Sequence, residues 1–271
     1  MTIQWYPGHM TRAKRMIVEE LKVVDAVMEL IDARIPLSSR NPDLQDLTAK
    51  PRVLVLTKSD LADESLTQEW IQYWNEQGES AVAADLVQGT NMGEITRVLR
   101  RQLPEMRRNP RVLVAGIPNV GKSTLINRLT GRKGARVGAR PGVTRGKQWL
   151  SASGMQLLDS PGILWPKFED QEVARKLAIV ASIRDEVFDQ IEIVTWLLDF
   201  LKQEYPKQLL ERYGQISDVD PLEDIGRKRG CLLKGGLVDH AQAAVLVLKD
   251  FRTGKLGRIT LDGSPPSKHL S

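Results

Sequence analysis

Two kinds of hydrophobic pattern alternate along the first part of the chain. Strands are predicted where short, mostly apolar runs occur, at 23–31, 53–56, 81–83, 112–115 and 155–158. Helices are predicted where apolar side chains recur at three- and four-residue spacing, at 66–77, 92–103 and 122–129. Apolar strands that alternate with helices are typical of a mostly parallel sheet with helices on both faces.

The pattern changes after Trp165 and Pro166. Residues 171–184, 187–204 and 236–251 have long stretches of helical spacing. We therefore predict two domains, an α/β domain over residues 1–166 and a small all-α domain over residues 167–271.

Composition excludes several classes of protein. Of the 271 residues, 41% are hydrophobic and 27% are charged, which is ordinary for a globular chain. The single cysteine, Cys231, excludes a disulfide framework and a thiolate zinc site. The sequence has no apolar run of about 18 residues, which excludes a membrane span, and its opening residues do not resemble a signal peptide. We expect a cytoplasmic protein.

Positive charge is concentrated in one part of the sequence. The net charge is only +5, but Glu105 is the single acidic residue between Arg97 and Lys147, a stretch with many arginines and lysines. Such a block favours a partner that supplies phosphates, such as RNA. The candidate RNA contacts are Arg132, Lys133, Arg136 and Arg140 in this block, and Arg227, Lys228 and Arg229 in the helical part.

A phosphate-binding loop follows the strand at 112–115. Residues 116–123 read Gly-Ile-Pro-Asn-Val-Gly-Lys-Ser and fit G-x-x-x-x-G-K-[ST] between a predicted strand and a predicted helix, as this motif requires. The glycines let backbone N–H groups face the phosphates, and the start of the helix adds partial positive charge. Lys122 is predicted to reach the β- and γ-phosphates and Ser123 to ligate Mg²⁺. The predicted nucleotide contacts of this loop are Asn119, Val120, Gly121, Lys122, Ser123 and Thr124.

Two further motifs fit a nucleotide hydrolase. Asp159-Ser160-Pro161-Gly162 follows the strand at 155–158, where Asp159 can hold the Mg²⁺ shell and the Gly162 amide can reach the γ-phosphate. Thr144 lies between this motif and the phosphate loop, where a switch threonine that contacts Mg²⁺ is expected. We therefore predict catalytic roles for Lys122 and Thr144 and a metal-binding role for Asp159.

A guanine-reading motif precedes the phosphate loop. Residues Thr57, Lys58, Ser59 and Asp60 have the form of N-K-x-D. The Asp60 carboxylate can accept hydrogen bonds from N1–H and the exocyclic amine of guanine, a donor pair that adenine lacks. The stem of Lys58 packs along the base. Because Thr57 replaces Asn, we expect its contact with the base or the phosphate loop to be weaker or lost.

In ordinary small GTPases the base reader follows the phosphate loop, so the order here indicates a circular permutation. The chain resembles the permuted ribosome-biogenesis GTPases of the YlqF type, the ribosome biogenesis GTPase A family. Besides the motif order, the resemblance depends on Trp5-Tyr6-Pro7-Gly8-His9-Met10, Asp32-Ala33-Arg34-Ile35-Pro36, the D-S-P-G-I-L-W-P stretch at 159–166 and Gly254-Lys255-Leu256-Gly257. It implies a circularly permuted P-loop GTPase domain.

The resemblance also implies roles for individual residues. Ile163 occupies the position of the water-orienting Gln of Ras-like enzymes, and in the resembled family the histidine of the opening motif, here His9, has that role. The second base-contacting segment falls at residues 84–86, which are Ala84, Asp85 and Leu86. Asn119 resembles the asparagine of potassium-activated GTPases, which implies a K⁺ ion beside the phosphates.

The implied function is GTP hydrolysis, with Mg²⁺ and K⁺, by an assembly factor of the large (50S) ribosomal subunit. Such a factor binds rRNA and pre-50S particles, is stimulated by the ribosome, leaves on hydrolysis and is a monomer off the ribosome. Two alternatives remain. One is a permuted GTPase of the small subunit, although that group carries a Cys/His zinc module and this chain has a single cysteine. The other is a non-hydrolysing RNA-binding protein that nucleotide stabilises, which Ile163 leaves open.

Overall fold

The α/β part of the molecule contains six strands and four helices among the residues that can be described. The computed structural model describes residues 8–41, 44, 47, 49–103, 105–131, 148–159 and 170–266, and only the backbone of residues 8–14 and 148. The strands are β1 (Ala26–Asp32), β2 (Arg52–Thr57), β3 (Ser80–Ala84), β4 (Arg111–Gly116), β5 (Gln148–Ala152) and β6 (Met155–Asp159). The helices are α1 (Gly8–Leu21), α2 (Glu64–Glu76), α3 (Met92–Gln102) and α4 (Lys122–Thr130).

The strands form one sheet in the order β3-β2-β1-β4-β6-β5. All neighbouring pairs are parallel except β5 with β6, which confirms the predicted mostly parallel sheet. The chain runs outward from β1 to β3 and then returns to place β4 on the other side of β1. A crevice at the carboxyl ends of the strands is expected at such a switch in strand order, and ligands bind there in folds of this class.

Some elements differ from the sequence predictions. Strand β1 begins at Ala26 rather than at Val23, whose side chain is exposed. Helix α1 and edge strand β5 were absent from the sequence predictions. The turn between β5 and β6 contains Ser153 and Gly154, which have φ angles of 48° and 68°. Positive φ at two successive turn residues is typical of a tight hairpin.

The carboxyl-terminal part is helical but divided differently from the prediction. It contains α5 (Gln171–Ile179), a 3-10 helix (Asp185–Val187), α6 (Gln190–Glu204), α7 (Pro206–Tyr213), α8 (Pro221–Arg229) and α9 (His240–Arg252). The predicted segments 171–184, 187–204 and 236–251 were too long, because Ala181 (φ 64°) follows α5 in the left-handed region and the side chains of Asp189 and Asp239 cap α6 and α9. Helices α7 and α8 were missed, although each begins with proline, a residue favoured in the first helical turn.

One hydrophobic cluster extends from the sheet into the helical part. It includes Met28 of β1, Val114 of β4 and Leu125 of α4, together with Leu177 of α5 and Val247 of α9, all buried. The predicted domain boundary at 166/167 lies outside the described residues and stays a prediction. Among the helices of the described part, none is long and apolar enough to cross a bilayer.

Candidate functional site

The phosphate loop connects β4 to α4 in the conformation that its motif predicts. Gly121 precedes the first turn of α4 with φ 110°, a region that side chains disfavour. A Cβ atom at this position would also lie 2.9 Å from Cδ1 of Leu86. Leu86, a predicted nucleotide contact from a different part of the sequence, therefore packs beside the phosphate loop. Ser123 and Thr124 follow in the first turn of α4 and are half-buried.

Lys122 is buried and bound to its own loop. Its Nζ donates to the carbonyl oxygens of Ile117 at 2.8 Å and Gly116 at 3.0 Å. Burial lowers the pKa of Lys122 to about 8, although the negative charge of Asp159 acts in the opposite direction. A nucleotide phosphate would supply a second negative charge, and binding would therefore favour the protonated amine.

Asp159 lies at the carboxyl end of β6, and burial raises the pKa of its carboxyl, while Lys122 opposes this shift. Its Oδ1 atom is buried and has no hydrogen-bond partner among the described residues. An unpartnered carboxylate oxygen is costly inside a protein unless a ligand satisfies it. Carboxylate and hydroxyl oxygens are the ligands that Mg²⁺ prefers. Asp159 and Ser123 therefore fit a magnesium ion at this end of the sheet.

The base-reading motif is joined directly to the phosphate loop. Thr57 ends β2, and its hydroxyl donates to the carbonyl oxygen of Val120 at 2.7 Å, with the carbonyl oxygen of Ile31 slightly farther away at 3.1 Å. The expected loss of the contact between Thr57 and the phosphate loop does not occur. This hydrogen bond joins two residues that are 63 positions apart in the sequence. It brings the two motifs together despite their reversed order.

Asp32 is a site residue whose role the sequence did not indicate, although its motif contributed to the resemblance. Its buried carboxylate binds Lys58 Nζ at 2.8 Å and forms a two-pronged ion pair with Arg34 at 2.7 and 2.9 Å. Burial alone would raise the pKa of Asp32, but the charges of Arg34 and Lys58 outweigh it and hold the pKa well below the usual range. Lys58 has φ 57°, so its backbone is also held in an uncommon conformation.

Asp60 lies close enough to Asp85 for its pKa to respond to the charge of that residue. Partial burial raises the pKa of Asp60, and the charge of Asp85 raises it further. Asp60 is exposed, as a residue that accepts hydrogen bonds from a ligand must be. Asp85 instead caps its own turn, because its Oδ1 accepts from the N–H groups of Val87 at 2.7 Å and Gln88 at 3.0 Å. Because Oδ1 is occupied by its own turn, we expect the predicted contact with the base to come from other atoms of residues 84–86.

The remaining residues of the 84–86 segment are held by the sheet and by α4. Ala84 ends β3 and is buried. Arg128 of α4 donates from Nε to the carbonyl oxygen of Leu86 at 3.0 Å. This segment is thus fastened to the helix that begins at the phosphate loop.

Asn119 links the phosphate loop to the helical part. Its amide nitrogen Nδ2 donates to the carbonyl oxygen of Ala181 at 2.7 Å. Because a carbonyl oxygen can only accept, the amide atom of Asn119 that faces Ala181 is the nitrogen. The amide oxygen Oδ1 is then the atom that could serve as a cation ligand.

Several predicted residues lie outside the described part of the chain. They are Thr144, Gly162, Arg132, Lys133, Arg136, Arg140 and the side chain of His9. Of the predicted RNA contacts, Arg227, Lys228 and Arg229 are exposed. Lys228 donates to the carbonyl oxygen of Tyr213 at 3.2 Å, Arg229 to that of Arg212, and Arg227 pairs with Glu223 in its own helix.

The phosphate loop, the base-reading loop and Asp159 therefore meet at the carboxyl edge of one mostly parallel sheet. This arrangement defines a P-loop nucleotide-binding protein in which the base reader precedes the phosphate loop along the chain.

Comparison with known proteins identifies the family. A family model described as 50S ribosome-binding GTPase matches residues 111–222. Ribosome biogenesis GTPase A of Priestia megaterium is 46% identical, with 97% of each chain covered, and that of Thermotoga maritima is 35% identical, with 96% of this chain and 94% of the relative covered. A crystal structure of GNP-bound YlqF from T. maritima has a TM-score of 0.73 at 30% identity and covers 94% of this chain and 100% of that one. The chain belongs to the ribosome biogenesis GTPase A family and is a GTPase.

Proposed function

We propose that this GTPase binds precursors of the large ribosomal subunit through rRNA and leaves them when GTP is hydrolysed. The observation that carries the proposal is the 46% identity, over nearly the whole chain, to a protein named ribosome biogenesis GTPase A. The matching family model, whose description names 50S ribosome binding, favours the large subunit over the small one. A factor with this role would be a monomer off the ribosome and would work in the cytoplasm.

We assign guanine recognition to Asp60 and phosphate binding to Lys122 and the N–H groups of residues 119–124. The hydrogen bond between Thr57 and Val120 supports this assignment, because it joins the two loops at one end of the sheet. Lys58, Ser59 and residues 84–86 complete the base pocket. The Gly162 amide is assigned to the γ-phosphate.

Mg²⁺ is assigned to Ser123, Thr144 and Asp159, and the unpartnered Oδ1 of Asp159 supports this assignment. A bound Mg²⁺ would neutralise charge that develops on the phosphates. K⁺ is assigned to the amide oxygen of Asn119, since the amide nitrogen is committed to Ala181. Hydrolysis measured in K⁺ and in Na⁺ at equal ionic strength tests this second ion, and equal rates would exclude it.

His9 is proposed to orient the attacking water. The support is the resemblance of the opening motif and the presence of Ile163, an apolar residue, where Ras-like enzymes carry Gln. A His9→Ala variant should lose hydrolysis while keeping its affinity for GTP. Equal loss of both would contradict the assignment.

The partner is tested by measuring GTP turnover with purified large subunits, with small subunits and with neither. The proposal predicts stimulation by large subunits only. Stimulation by small subunits alone would favour a small-subunit factor. No stimulation by either would mean that the ribosome does not accelerate GTP hydrolysis. Cosedimentation with immature large subunits in a non-hydrolysable GTP analogue should show binding that GDP abolishes.

RNA binding is assigned to Arg132, Lys133, Arg136, Arg140, Arg227, Lys228 and Arg229. Arg227 offers the cleanest test, because its described ion pair lies within its own helix, whereas Lys228 and Arg229 also bind carbonyl groups near the end of α7. Arg227→Gln should weaken cosedimentation more at low salt than at high salt, because the variant releases fewer counterions on binding and its affinity therefore falls less steeply with salt. Unchanged cosedimentation at every salt concentration would exclude this residue.

A further inference from the structure

Residues of the helical part contact both nucleotide-binding loops. One contact lies at the phosphate loop and involves the corner after α5. The other lies at the base-reading loop and involves the segment after α9. Neither contact passes through the stretch 160–169 that connects the sheet to α5.

At the phosphate loop, two successive residues of the α5 corner form hydrogen bonds. The hydroxyl of Ser182 donates to the carbonyl oxygen of Pro118 at 3.0 Å, and Ala181 accepts from Asn119. Ser182 is only 1% exposed, so this bond is shielded from water. Both Asn119 and Ala181 have left-handed backbone angles, φ 59° and 64°, which cost energy for residues other than glycine. These hydrogen bonds therefore help to hold two strained turns against each other.

The α5 corner is itself fixed to the rest of the helical part. Arg252, at the end of α9, donates to the carbonyl oxygens of Ala178 at 2.9 Å and Ile179 at 2.8 Å. The same guanidinium pairs with Asp185 at 2.7 Å. Ser182 therefore connects the phosphate loop to a helix end that Arg252 holds in place.

At the base-reading loop, Arg258 binds on both sides of Asp60. Its guanidinium donates to the carbonyl oxygens of Ser59 at 3.1 Å and Ala62 at 2.7 Å. The next residue, Ile259, donates its N–H to the carbonyl oxygen of Leu61 at 3.0 Å. The backbone of the loop that carries Asp60 is therefore held by hydrogen bonds from Arg258 and Ile259, in addition to those of the sheet.

Gly254 explains how the chain approaches this loop so closely. A Cβ atom at Gly254 would lie 2.7 Å from Cδ2 of Leu61, and its φ of 75° also favours glycine. Gly254 belongs to the Gly254–Gly257 stretch that contributed to the family resemblance. The stretch thus turns the chain from α9 toward the base-reading loop.

We propose that Ser182 and Arg258 are positioning residues for nucleotide recognition, Ser182 for the phosphates and Arg258 for the base. The proposal depends on the nucleotide site assigned above. It follows that nucleotide binding and the seating of the helical part stabilise each other, because binding free energies that are linked must be reciprocal. A partner that shifts the helical part would change nucleotide affinity through these two contacts.

The test compares Ser182→Ala and Arg258→Ala with matched controls in the full-length protein. Thr195→Ala removes a hydroxyl that donates within α6, and Arg97→Ala removes an arginine paired with Glu94 within α3. Competition binding gives the affinities for GDP, inosine diphosphate and GMP. Inosine lacks the exocyclic amine, so the ratio of GDP to inosine diphosphate reports the base contact with Asp60. The ratio of GDP to GMP reports the contact with the β-phosphate.

We expect each of the two variants to lower a different affinity ratio. Arg258→Ala should lower the ratio of GDP to inosine diphosphate by about fivefold and leave the ratio of GDP to GMP unchanged, as expected for one weakened hydrogen bond. Ser182→Ala should do the opposite, with a similar change in the ratio of GDP to GMP. Both control variants should keep the wild-type ratios. Thermal unfolding of each variant identifies any that does not fold, and Arg258→Lys and Ser182→Cys then replace it, because an amine lacks the guanidinium fork and a thiol is only a weak hydrogen-bond donor.

Two results would overturn the inference. If both ratios stay at the wild-type value in folded variants, the contacts do not position the loops. If each variant lowers both ratios equally, the loss is general loosening rather than positioning. Failure of the site assignment itself is recognisable separately, because wild-type protein would then not distinguish GDP from inosine diphosphate.

Discussion

The hydroxyl of Thr57 donates a hydrogen bond to the carbonyl oxygen of Val120 at 2.7 Å. One residue ends the strand before the base-reading loop and the other lies in the phosphate loop. The two loops therefore act as one unit, although the chain visits them in the order opposite to that of ordinary small GTPases. An Asn in this position is thus not required for the contact between the loops.

Replacing Thr57 with Val should test this contact, because valine has a similar shape but cannot donate to Val120. The unpartnered carbonyl group should lower the free energy of unfolding by about 1–2 kcal/mol. GDP affinity should fall as well, because the phosphate loop loses a restraint. Chemical denaturation and GDP titration measure the two effects. Thr253→Val is the matched control, since its hydroxyl donates within α9 and the residue is exposed. If both variants lose the same stability, Thr57 has no special role.

The buried charges around Asp32 should make Asp32→Asn strongly destabilising. The substitution leaves Arg34 and Lys58 without their shared counter-charge, which costs about 3 kcal/mol or more. Because the pKa of Asp32 is lowered in the folded protein, its stabilising effect is present above about pH 4 and is lost on acidification below that. Unfolding measured from pH 7 to pH 3 should therefore show a steeper acid loss in wild type than in the variant. Asp218→Asn, at an exposed ion pair, should change little, and equal losses in the two variants would contradict this account.

GDP affinity should depend on pH through Lys122. The pKa of about 8 in the nucleotide-free protein means that the amine is mostly protonated below pH 8 and loses its proton above it. Phosphate binding requires the charged form, so affinity should be nearly constant up to about pH 7 and fall by about fivefold between pH 8 and pH 9, as the charged fraction drops from about one half to about one tenth. Lys122→Arg provides the comparison, because a guanidinium stays charged throughout this range. Any loss of affinity with rising pH that persists in Lys122→Arg is caused by titration of the nucleotide itself. An equal pH dependence in both proteins would contradict the assignment.

Asp159→Asn should raise the Mg²⁺ concentration needed for half-maximal GTP hydrolysis by at least about tenfold, because a neutral amide is a weaker ligand than a carboxylate. A magnesium titration of hydrolysis measures this directly. Asp218→Asn serves as control, because its carboxylate lies at an exposed ion pair outside the assigned nucleotide site. An unchanged magnesium requirement in Asp159→Asn would place the ion elsewhere.

Local patterns predicted most of the α/β part. The apolar runs at 53–56 and 112–115 coincide with β2 and β4, and the phosphate loop lies between β4 and α4 as its motif requires. These features depend on residues close together in sequence, so the sequence alone carries the signal.

Contacts between distant residues were not predictable in the same way. Nothing near Asp32 in sequence indicates that it binds Lys58, and nothing near Ser182 indicates that it binds Pro118. The ends of the carboxyl-terminal helices were also missed, because their apolar spacing continues past residues such as Ala181 that leave the helical conformation. A sharper sequence signal was available at Asp220-Pro221, where a capping side chain precedes a proline at the start of α8.

We propose that Asp60 and Lys122 bind opposite ends of one guanine nucleotide. The most direct test is competition between GDP and xanthosine diphosphate for the Asp60→Asn variant, with Asp218→Asn, at an exposed ion pair, as control. The amide at position 60 can donate to the carbonyl oxygen that xanthine has in place of the guanine amine, so the account predicts that Asp60→Asn prefers xanthosine diphosphate while the control still prefers GDP. An Asp60→Asn variant that keeps the wild-type preference for GDP would contradict the claim.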